Sequence, residues 1–305
     1  MKLTRPKSAI SPEQRRQRRA ERREKQRAAN AGRALKMHAL RVAEERQMCL
    51  APTNRLSMER ELPRLNIGCS GWFYWDWKDR FYPAGMMTKD WFHHYANHFE
   101  TVELNAPFYS WPTLATVQTW LRQVQGRPFV YTVKVCELIT HVKRFARTAE
   151  LVKDFCFIGQ LLDRHMGCFL FQLPPSFHYT AARLKRILDQ LDPSLRNVVE
   201  FRHASWWNKQ TMLAFRKTGT IFCSCSAPRL PDELVDTGGE VYLRFHGTKN
   251  WYRHNYTPDE LAVWTKRILD QNPSRVWAYF NNDHGGNAIA NARELSRQLA
   301  MNDAL

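Results

Sequence analysis

Short apolar runs alternate with longer amphipathic stretches from residue 65 to the C-terminus. Eight of the runs are rich in β-branched and aromatic residues, as strands are. They are residues 65–71, 100–105, 129–135, 167–173, 197–202, 220–226, 241–247 and 275–282. Helical patterns lie near residues 88–97, 113–124, 148–164, 180–190, 205–218, 257–270 and 287–302, whereas 227–240 is loop-like. Residues 61–305 are therefore predicted to form a closed (β/α)8 TIM barrel of the α/β class, with an open doubly wound sheet as the alternative.

Within five of the predicted strands, one set of alternate residues is apolar and the other becomes polar toward the C-terminal end. In residues 100–105, for example, Val102 and Leu104 alternate with Glu103 and Asn105. A barrel strand points alternate side chains at the axis and at the helices, so the polar set is predicted to face inward. The inward residues are Glu103, Asn105, Lys134, Gln172, Glu200, Arg202, Arg244 and His246. On the last strand, either Asn281 with Asp283 or Asn282 points inward.

These inward polar residues predict a ligand site at the C-terminal mouth, where active sites of such barrels lie. The alternative is a set of ion pairs that fills the barrel, such as Glu200 with Arg244. Arginine presents a fork to phosphate or carboxylate, so the cations of the set favour an anionic ligand. These cations are Lys134, Arg202 and Arg244. The residues predicted to be catalytic, because they can transfer protons, are Glu103, Glu200 and His246.

A bound divalent metal is considered but not favoured, and the cofactor stays open. Glu103, Glu200, His246 and Asp283 include the ligand types of Mg, Mn and Zn, but no HExxH, HxH or paired-cysteine spacing accompanies them. His246 is a general base, a metal ligand or a hydrogen-bonded interior histidine. The dinucleotide-binding, P-loop and GxSxG motifs are all missing, which argues against those nucleotide sites and serine hydrolysis.

An aromatic segment, GWFYWDWKDRFYP at residues 71–83, follows the first predicted strand. Trp72 and Tyr74 lie nearest to the strand end and are predicted to contact the ligand, since aromatic faces stack on sugars and bases. The aromatics predicted to line a lid are Trp75, Trp77 and Phe81. His141, in the loop after the third strand, is predicted either to add an imidazole to the site or to be exposed.

The positive charge of the chain is concentrated at its N-terminus. Residues 1–60 hold 17 basic and six acidic residues, so they carry eleven of the seventeen net positive charges. Residues 11–30 contain no Leu, Ile, Val or aromatic residue that could pack against a core. We predict an extension and linker over 1–60 whose 11–30 segment is disordered or loosely helical. It is predicted to contact RNA or DNA phosphates, unless it is a solvated tail or lies upstream of the true start.

Composition excludes several classes of protein. The 305 residues are 44% apolar, and no run reaches the roughly 18 apolar residues that a membrane span needs. No apolar segment follows the N-terminal arginines as it would in a secretory signal. The seven cysteines are scattered without a CxxC pair, which disfavours a disulfide framework or zinc ribbon. We therefore expect a cytoplasmic protein without a membrane partner.

Eight segments of the chain resemble the YecE-like family, the domain of unknown function 72. They are IGCSGWFYWDW (67–77), FYP (81–83), FETVELNAPFY (99–109), VKVCELITH (133–141), FQLPPSF (171–177), VEFRHASW (199–206), LRFHG (243–247) and YFNND (279–283). The resemblance implies a TIM barrel whose strand ends line one pocket. The pocket residues it implies are Ser70, Gly71, Trp72, Glu103, Asn105, Tyr109, Lys134, His141, Gln172, Glu200, Arg202, His246 and Asn281.

The family has no established activity, so the resemblance implies no catalytic role. One departure is the run after the sixth strand, where an acidic residue is expected and Ser224 and Ser226 stand instead. The leading hypothesis is an enzyme, of hydrolase or isomerase type, that acts on a small anionic substrate at the barrel mouth. The alternative is a nucleic-acid-associated binding protein that uses the basic N-terminal arm.

Overall fold

A computed structural model describes residues 11–50, 62–124 and 126–303. Within them, eight parallel strands close into a barrel in chain order, and β1 pairs with β8. The strands are β1 (Leu65–Cys69), β2 (Thr101–Leu104), β3 (Val130–Lys134), β4 (Met166–Gln172), β5 (Asn197–Glu200), β6 (Ile221–Ser226), β7 (Glu240–Phe245) and β8 (Arg275–Phe280). All eight predicted strands and the closed barrel are confirmed, so the open-sheet alternative is wrong.

The helices follow the predicted alternation with the strands. They are α1 (Pro12–Leu50), α2 (Trp91–Ala96), α3 (Ala106–Tyr109), α4 (Leu114–Val124), α5 (Ala149–Leu162), α6 (Ala181–Leu188), α7 (Lys209–Thr218), α8 (Pro258–Gln271) and α9 (Asn287–Asp303). Helix α3 and a π-helical turn at Leu138–Val142 were not predicted. None of the helices that the structure describes is both long and apolar enough to cross a membrane.

The interior of the barrel is apolar and aromatic below its mouth. Tyr242, Trp277 and Tyr279 are fully buried there. The Tyr279 hydroxyl lies 2.7 Å from Thr101 Oγ1 and 2.9 Å from Thr132 Oγ1, which ties β8 to β2 and β3 across the interior. This packing closes the lower part of the barrel, so polar groups are concentrated toward the C-terminal ends of the strands.

Helix α1 packs along the barrel, so of the two alternatives for residues 11–30 the structure has the helical one. Ser11 and residues 13–22 are exposed, as a solvated helix would be. Farther along, Asn30 is buried, donates to the carbonyl oxygen of Tyr109 at 3.0 Å and accepts from the amide of Trp111 at 2.9 Å. Arg41 Nε donates to Asp154 at 2.8 Å. Buried polar contacts therefore attach the helix, and the predicted linker lies outside the described residues.

Candidate functional site

A buried guanidinium, that of Arg244 on β7, occupies the centre of the barrel. Its Nε and Nη2 donate to the two oxygens of Glu103 at 3.0 and 2.6 Å, and its Nη1 donates to Glu200 at 2.6 Å. Glu103 also accepts from the hydroxyls of Ser70 at 2.8 Å and Tyr242 at 2.6 Å. The predicted alternative of ion pairs inside the barrel is thus observed in this layer.

The charges of this layer are held in place by their mutual pairing. Burial by itself would raise the pKa of Glu200, but Arg202 and Arg244 hold it well below its ordinary value. Burial would likewise lower the pKa of Arg244, and the carboxylates of Glu103 and Glu200 raise it instead. Glu200 and Arg244 are therefore ionised at neutral pH, and each of these charges depends on its partners.

A second layer lies above it, where Arg202 follows β5. Arg202 Nε donates to Glu200, and its Nη2 lies 3.0 Å from Nε2 of His246. Because arginine can only donate, Nε2 of His246 is the acceptor. The Arg202 guanidinium lies 4.6 Å from the ring centroid of Trp251, in the loop after β7. Arg202 is thereby fixed between β5, β7 and this loop, and it keeps some exposed surface.

The loop after β7 covers His246. The rings of Trp251 and Tyr252 lie 5.3 and 5.9 Å from the imidazole, centroid to centroid, and His246 has no exposed surface. Burial lowers the pKa of His246 well below its ordinary value, and the charges of Arg202 and Arg244 lower it further. His246 is therefore neutral at neutral pH and would reach a ligand only if this loop moved.

Lys134, at the end of β3, is the third cation of the site. Its Nζ lies 4.3 Å from the ring centroid of Phe108 and makes neither a hydrogen bond nor an ion pair with any residue the structure describes. Only 8% of the residue is exposed. Burial lowers the pKa of Lys134 to about 7, and the charge of Arg244 contributes to the shift. The Phe108 ring also contacts His141, with 4.9 Å between the two ring centroids. Burial lowers the pKa of His141 to about 4.

The ends of β1, β2 and β8 supply the other polar groups of the mouth. Ser70 carbonyl oxygen accepts from Tyr74 at 2.6 Å and from Asn105 at 3.1 Å. Among the described residues, the buried Oδ1 atoms of Asn105 and Asp283 have no hydrogen-bond partner. Burial raises the pKa of Asp283 to about 7. The Oδ1 atoms of Asn105 and Asp283 and the Lys134 amine are therefore groups that a ligand at the mouth could contact.

The structure also decides the orientation of the last strand. The Asn281 amide lies 3.4 Å from Nδ1 of His246, whereas buried Asn282 donates away from the mouth, to His254 and Asn291. The predicted alternative with Asn281 and Asp283 facing inward is the one observed.

The sequence-predicted residues separate by exposure. Four of them have no exposed surface: Glu103, Glu200, Arg244 and His246. Those that are partly exposed are Trp72, Tyr74, Asn105, His141, Gln172, Arg202 and Asn281. The site is therefore a buried charge network beneath a ring of accessible groups. Of the predicted lid aromatics, Trp77 is buried, Phe81 is partly buried and Trp75 is 64% exposed, so Trp75 lines no lid here.

Glu200, Cys225 and His246 are the one cluster of possible metal ligands found in the described residues, with their ligand atoms within 4.8 Å of one another. The oxygens of Glu200 already accept from Arg202 and Arg244, and His246 Nε2 accepts from Arg202. A divalent cation would have to lie beside two guanidinium charges, so this donor set fits a metal poorly.

Residues on β6 were misjudged from the sequence. Cys223 and Cys225 belong to the cluster that fills the barrel interior. Ser224 instead accepts from the amide of Val235, and Ser226 accepts from the hydroxyl of Tyr256. The alternation of side chains along this strand was the available signal.

Helix α1 reaches the rim of the mouth. Arg23 and Arg27 donate to the carboxylate of Glu137 at 2.9 and 3.0 Å, three residues beyond Lys134. The Arg23 guanidinium also lies 5.9 Å from the ring centroid of Tyr109, an exposed residue of the implied pocket. The exposed, arginine-rich first turns of α1 therefore precede the point at which the helix contacts the rim.

Comparison with known proteins gives one family. A family described as "Protein of unknown function DUF72" matches residues 66–305. The UPF0759 protein YunF of Bacillus subtilis is 27% identical over 269 residues, covering 76% of this chain and 94% of that protein. A DUF72 family protein of Thermotoga maritima has a crystal structure with TM-score 0.70 and 24% identity, covering 78% of this chain and 100% of that one. A DUF72 family protein of Enterococcus faecalis has a crystal structure with TM-score 0.67 and 20% identity, covering 77% of this chain and 95% of that one. The resemblance stated from sequence is confirmed, and the two solved structures show the shared fold alone.

Proposed function

This chain belongs to the DUF72 family, and we propose that it is an enzyme, of hydrolase or isomerase type, that binds a small anionic substrate at the barrel mouth. The observation that carries the proposal is a lysine at the mouth that forms no ion pair with a described residue. Arg202 and Arg244 use the carboxylates of Glu103 and Glu200, and Lys134 is left without a counter-ion among the described residues. A bound anion would supply that charge.

Arg202 is the group best placed to bind the anion. Glu200, His246 and Trp251 hold its guanidinium in one orientation, and it remains partly exposed. A guanidinium that is already oriented loses little side-chain entropy when it binds phosphate or carboxylate. The amide side chains predicted to bind the ligand at the same mouth are Asn105, Gln172 and Asn281.

We assign proton transfer at the mouth to Asp283 and Lys134. Both have a pKa of about 7, and a group that titrates near the working pH is an efficient general acid or base. Glu103 and Glu200 act beneath them by fixing the two arginines. The sequence-predicted role of His246 as a general base requires movement of the loop that carries Trp251.

Substitution of Arg202 by lysine is expected to weaken anion binding at least 10-fold, because the charge remains and the planar fork is lost. Binding of inorganic phosphate and malonate is measured by isothermal titration calorimetry. Arg122→Lys is the matched control, since Arg122 is exposed on α4 and, among the described residues, its side chain hydrogen-bonds to Thr119 alone. Equal affinities in wild type and R202K, or no binding of either anion, would contradict the proposed site.

A second candidate function, association with RNA or DNA through residues 11–30, is favoured by the form of α1. Arg16, Arg18, Arg19 and Arg22 are exposed on one continuous helix that meets the barrel at its mouth. The helix keeps these charges close together, which favours contact with a polyanion. In this candidate the barrel mouth recognises a nucleotide or a strand end.

Exchange of these four arginines for glutamine is expected to lower the salt dependence of RNA binding. Each phosphate contact to a single strand contributes about 0.7 to the slope of log K against log salt, so four contacts contribute about 3. Fluorescence anisotropy with a 20-nucleotide single-stranded RNA measures the slope. The control variant exchanges four exposed cations elsewhere: Arg122, Arg144, Lys185 and Lys266. An unchanged slope in the α1 variant would exclude the arm as the binding surface.

Substitution is the appropriate test here, because deletion of the arm would do more than remove charge. Ala34 and Met37 of α1 are buried, and Glu137 and Asp154 on the barrel pair with α1 arginines. A chain without α1 would expose apolar surface and leave both carboxylates without these partners.

A further inference from the structure

Lys134 has the surroundings of a reactive amine. Its Nζ lies over the face of Phe108, at the C-terminal end of a barrel strand, and 8% of the residue is exposed. We infer that this amine is a nucleophile that forms a Schiff base with an anionic aldehyde or ketone bound at the mouth. The inference rests on the proposed function and names the class of substrate.

The pairing of the neighbouring charges leaves this amine available. Glu103 is used by Arg244, and Glu200 is shared by Arg244 and Arg202. Arg244 binds Glu103 through its planar fork, and Glu200 accepts one hydrogen bond from each of the two arginines. Lys134 therefore lies in a cluster that contains two carboxylates without forming an ion pair to either.

The same arrangement keeps a large share of the amine unprotonated. The ordinary lysine pKa of about 10.4 leaves about one amine in two thousand unprotonated at pH 7. In Lys134, burial and the charge of Arg244 lower the pKa to about 7, so about half of the molecules carry a free amine at that pH. A lysine desolvated beside other cations is activated in this way.

The step needs no group that the site lacks. The amine nitrogen adds its lone pair to the carbonyl carbon, and the carbonyl π pair moves to oxygen. The two amine hydrogens leave with that oxygen as water, and a carbon–nitrogen double bond remains. Arg202 would hold the anionic group of the substrate meanwhile, and the imine would draw electrons from the adjacent carbon, as an isomerase of this kind requires.

The test is reductive trapping on the whole chain. Wild-type protein receives limiting glyoxylate and cyanoborohydride for a short pulse at pH 6–9, and peptide mass spectrometry locates the resulting carboxymethyl-lysine. Glycolaldehyde, a neutral aldehyde of similar size, is the matched probe. The internal controls are the exposed lysines Lys143, Lys209 and Lys217.

We expect glyoxylate to label Lys134 at least 10-fold faster than the exposed lysines at pH 7, with glycolaldehyde showing a smaller preference. The Lys134 rate should level off above about pH 7–8, whereas the rates of the exposed lysines should still rise at pH 9. Lys134→Arg removes the primary amine, so it should abolish this label.

Other outcomes separate the two proposals. Labelling of Lys134 no faster than of the exposed lysines, with phosphate binding that depends on Arg202, would overturn the nucleophile and leave the anion site standing. Labelling no faster than the exposed lysines without phosphate binding would overturn both. A Lys134 rate that rises to pH 9 in parallel with the exposed lysines would also overturn the nucleophile.

Discussion

Replacement of Arg244 by methionine is expected to lower the free energy of unfolding by about 3–5 kcal/mol, the usual effect of breaking a buried ion pair. The guanidinium has no exposed surface and holds Glu103 and Glu200 at 2.6 Å. Without it, Glu103 keeps only neutral hydrogen-bond partners and Glu200 keeps Arg202. Urea unfolding followed by circular dichroism measures the loss.

Two further measurements isolate the charge effect from the change in shape. Arg122→Met removes an exposed guanidinium and should leave the unfolding midpoint unchanged. Acid should shrink the deficit of R244M, because a protonated carboxyl needs no counter-ion. The folded pKa of Glu200 lies below its unfolded value of about 4.3, so its contribution is present above that pH and is lost as pH falls through the folded pKa. An R244M protein as stable as wild type at pH 7 would contradict this account.

Replacement of Lys134 by methionine is expected to raise the free energy of unfolding, by about 2–4 kcal/mol at pH 6. The amine has a pKa of about 7 when folded and about 10.4 when unfolded, so the unfolded chain binds its proton more tightly. The loss of unfolding free energy that Lys134 causes in the wild type is therefore complete below about pH 7 and disappears as pH rises toward 10. The difference in unfolding free energy between K134M and wild type should therefore be largest at pH 6 and should vanish as the pH approaches 10.

Urea titrations at pH 6, 8 and 10 measure this course, with Lys143→Met as the exposed control. Equal stability of K134M and wild type at pH 6 would show that Lys134 has a counter-ion or solvent that the described contacts do not include. A gain that fades with rising pH would mean that the site accepts a cost in stability to hold an amine, as functional residues often do.

The barrel could be predicted from the sequence because the signals for its strands and helices are local. Alternation with a period of two in segments such as residues 100–105 marks both a strand and the face it buries. The same alternation placed Glu103 and Arg244 inside, where the structure has them. The alternation of side chains distinguishes the inward face of a strand from its outward face, but it does not show how deeply an inward side chain is buried. The burial of Glu103, Glu200 and His246 beneath Arg202 and the loop after β7 was accordingly not predicted.

The docking of α1 on the barrel depends on contacts between distant parts of the chain. Asn30 and Arg41 attach α1 to the barrel through partners that lie 79 and 113 residues away. Residues 11–30 carry no apolar stripe, so the docking of this part of α1 had no signature in hydrophobic periodicity, whereas Ala34 and Met37 farther along are buried in the core.

The sequence by itself determined the eight strands, the inward polar faces of five of them and the family, because each depends on residue types at short, regular spacing. Only the tertiary structure decided which charge pairs with which. Strand closure brings Arg244 between Glu103 and Glu200 and leaves Lys134 without a carboxylate in the described residues. Charge pairing depends on ångström-scale distances between side chains far apart in sequence, and a linear pattern does not contain those distances.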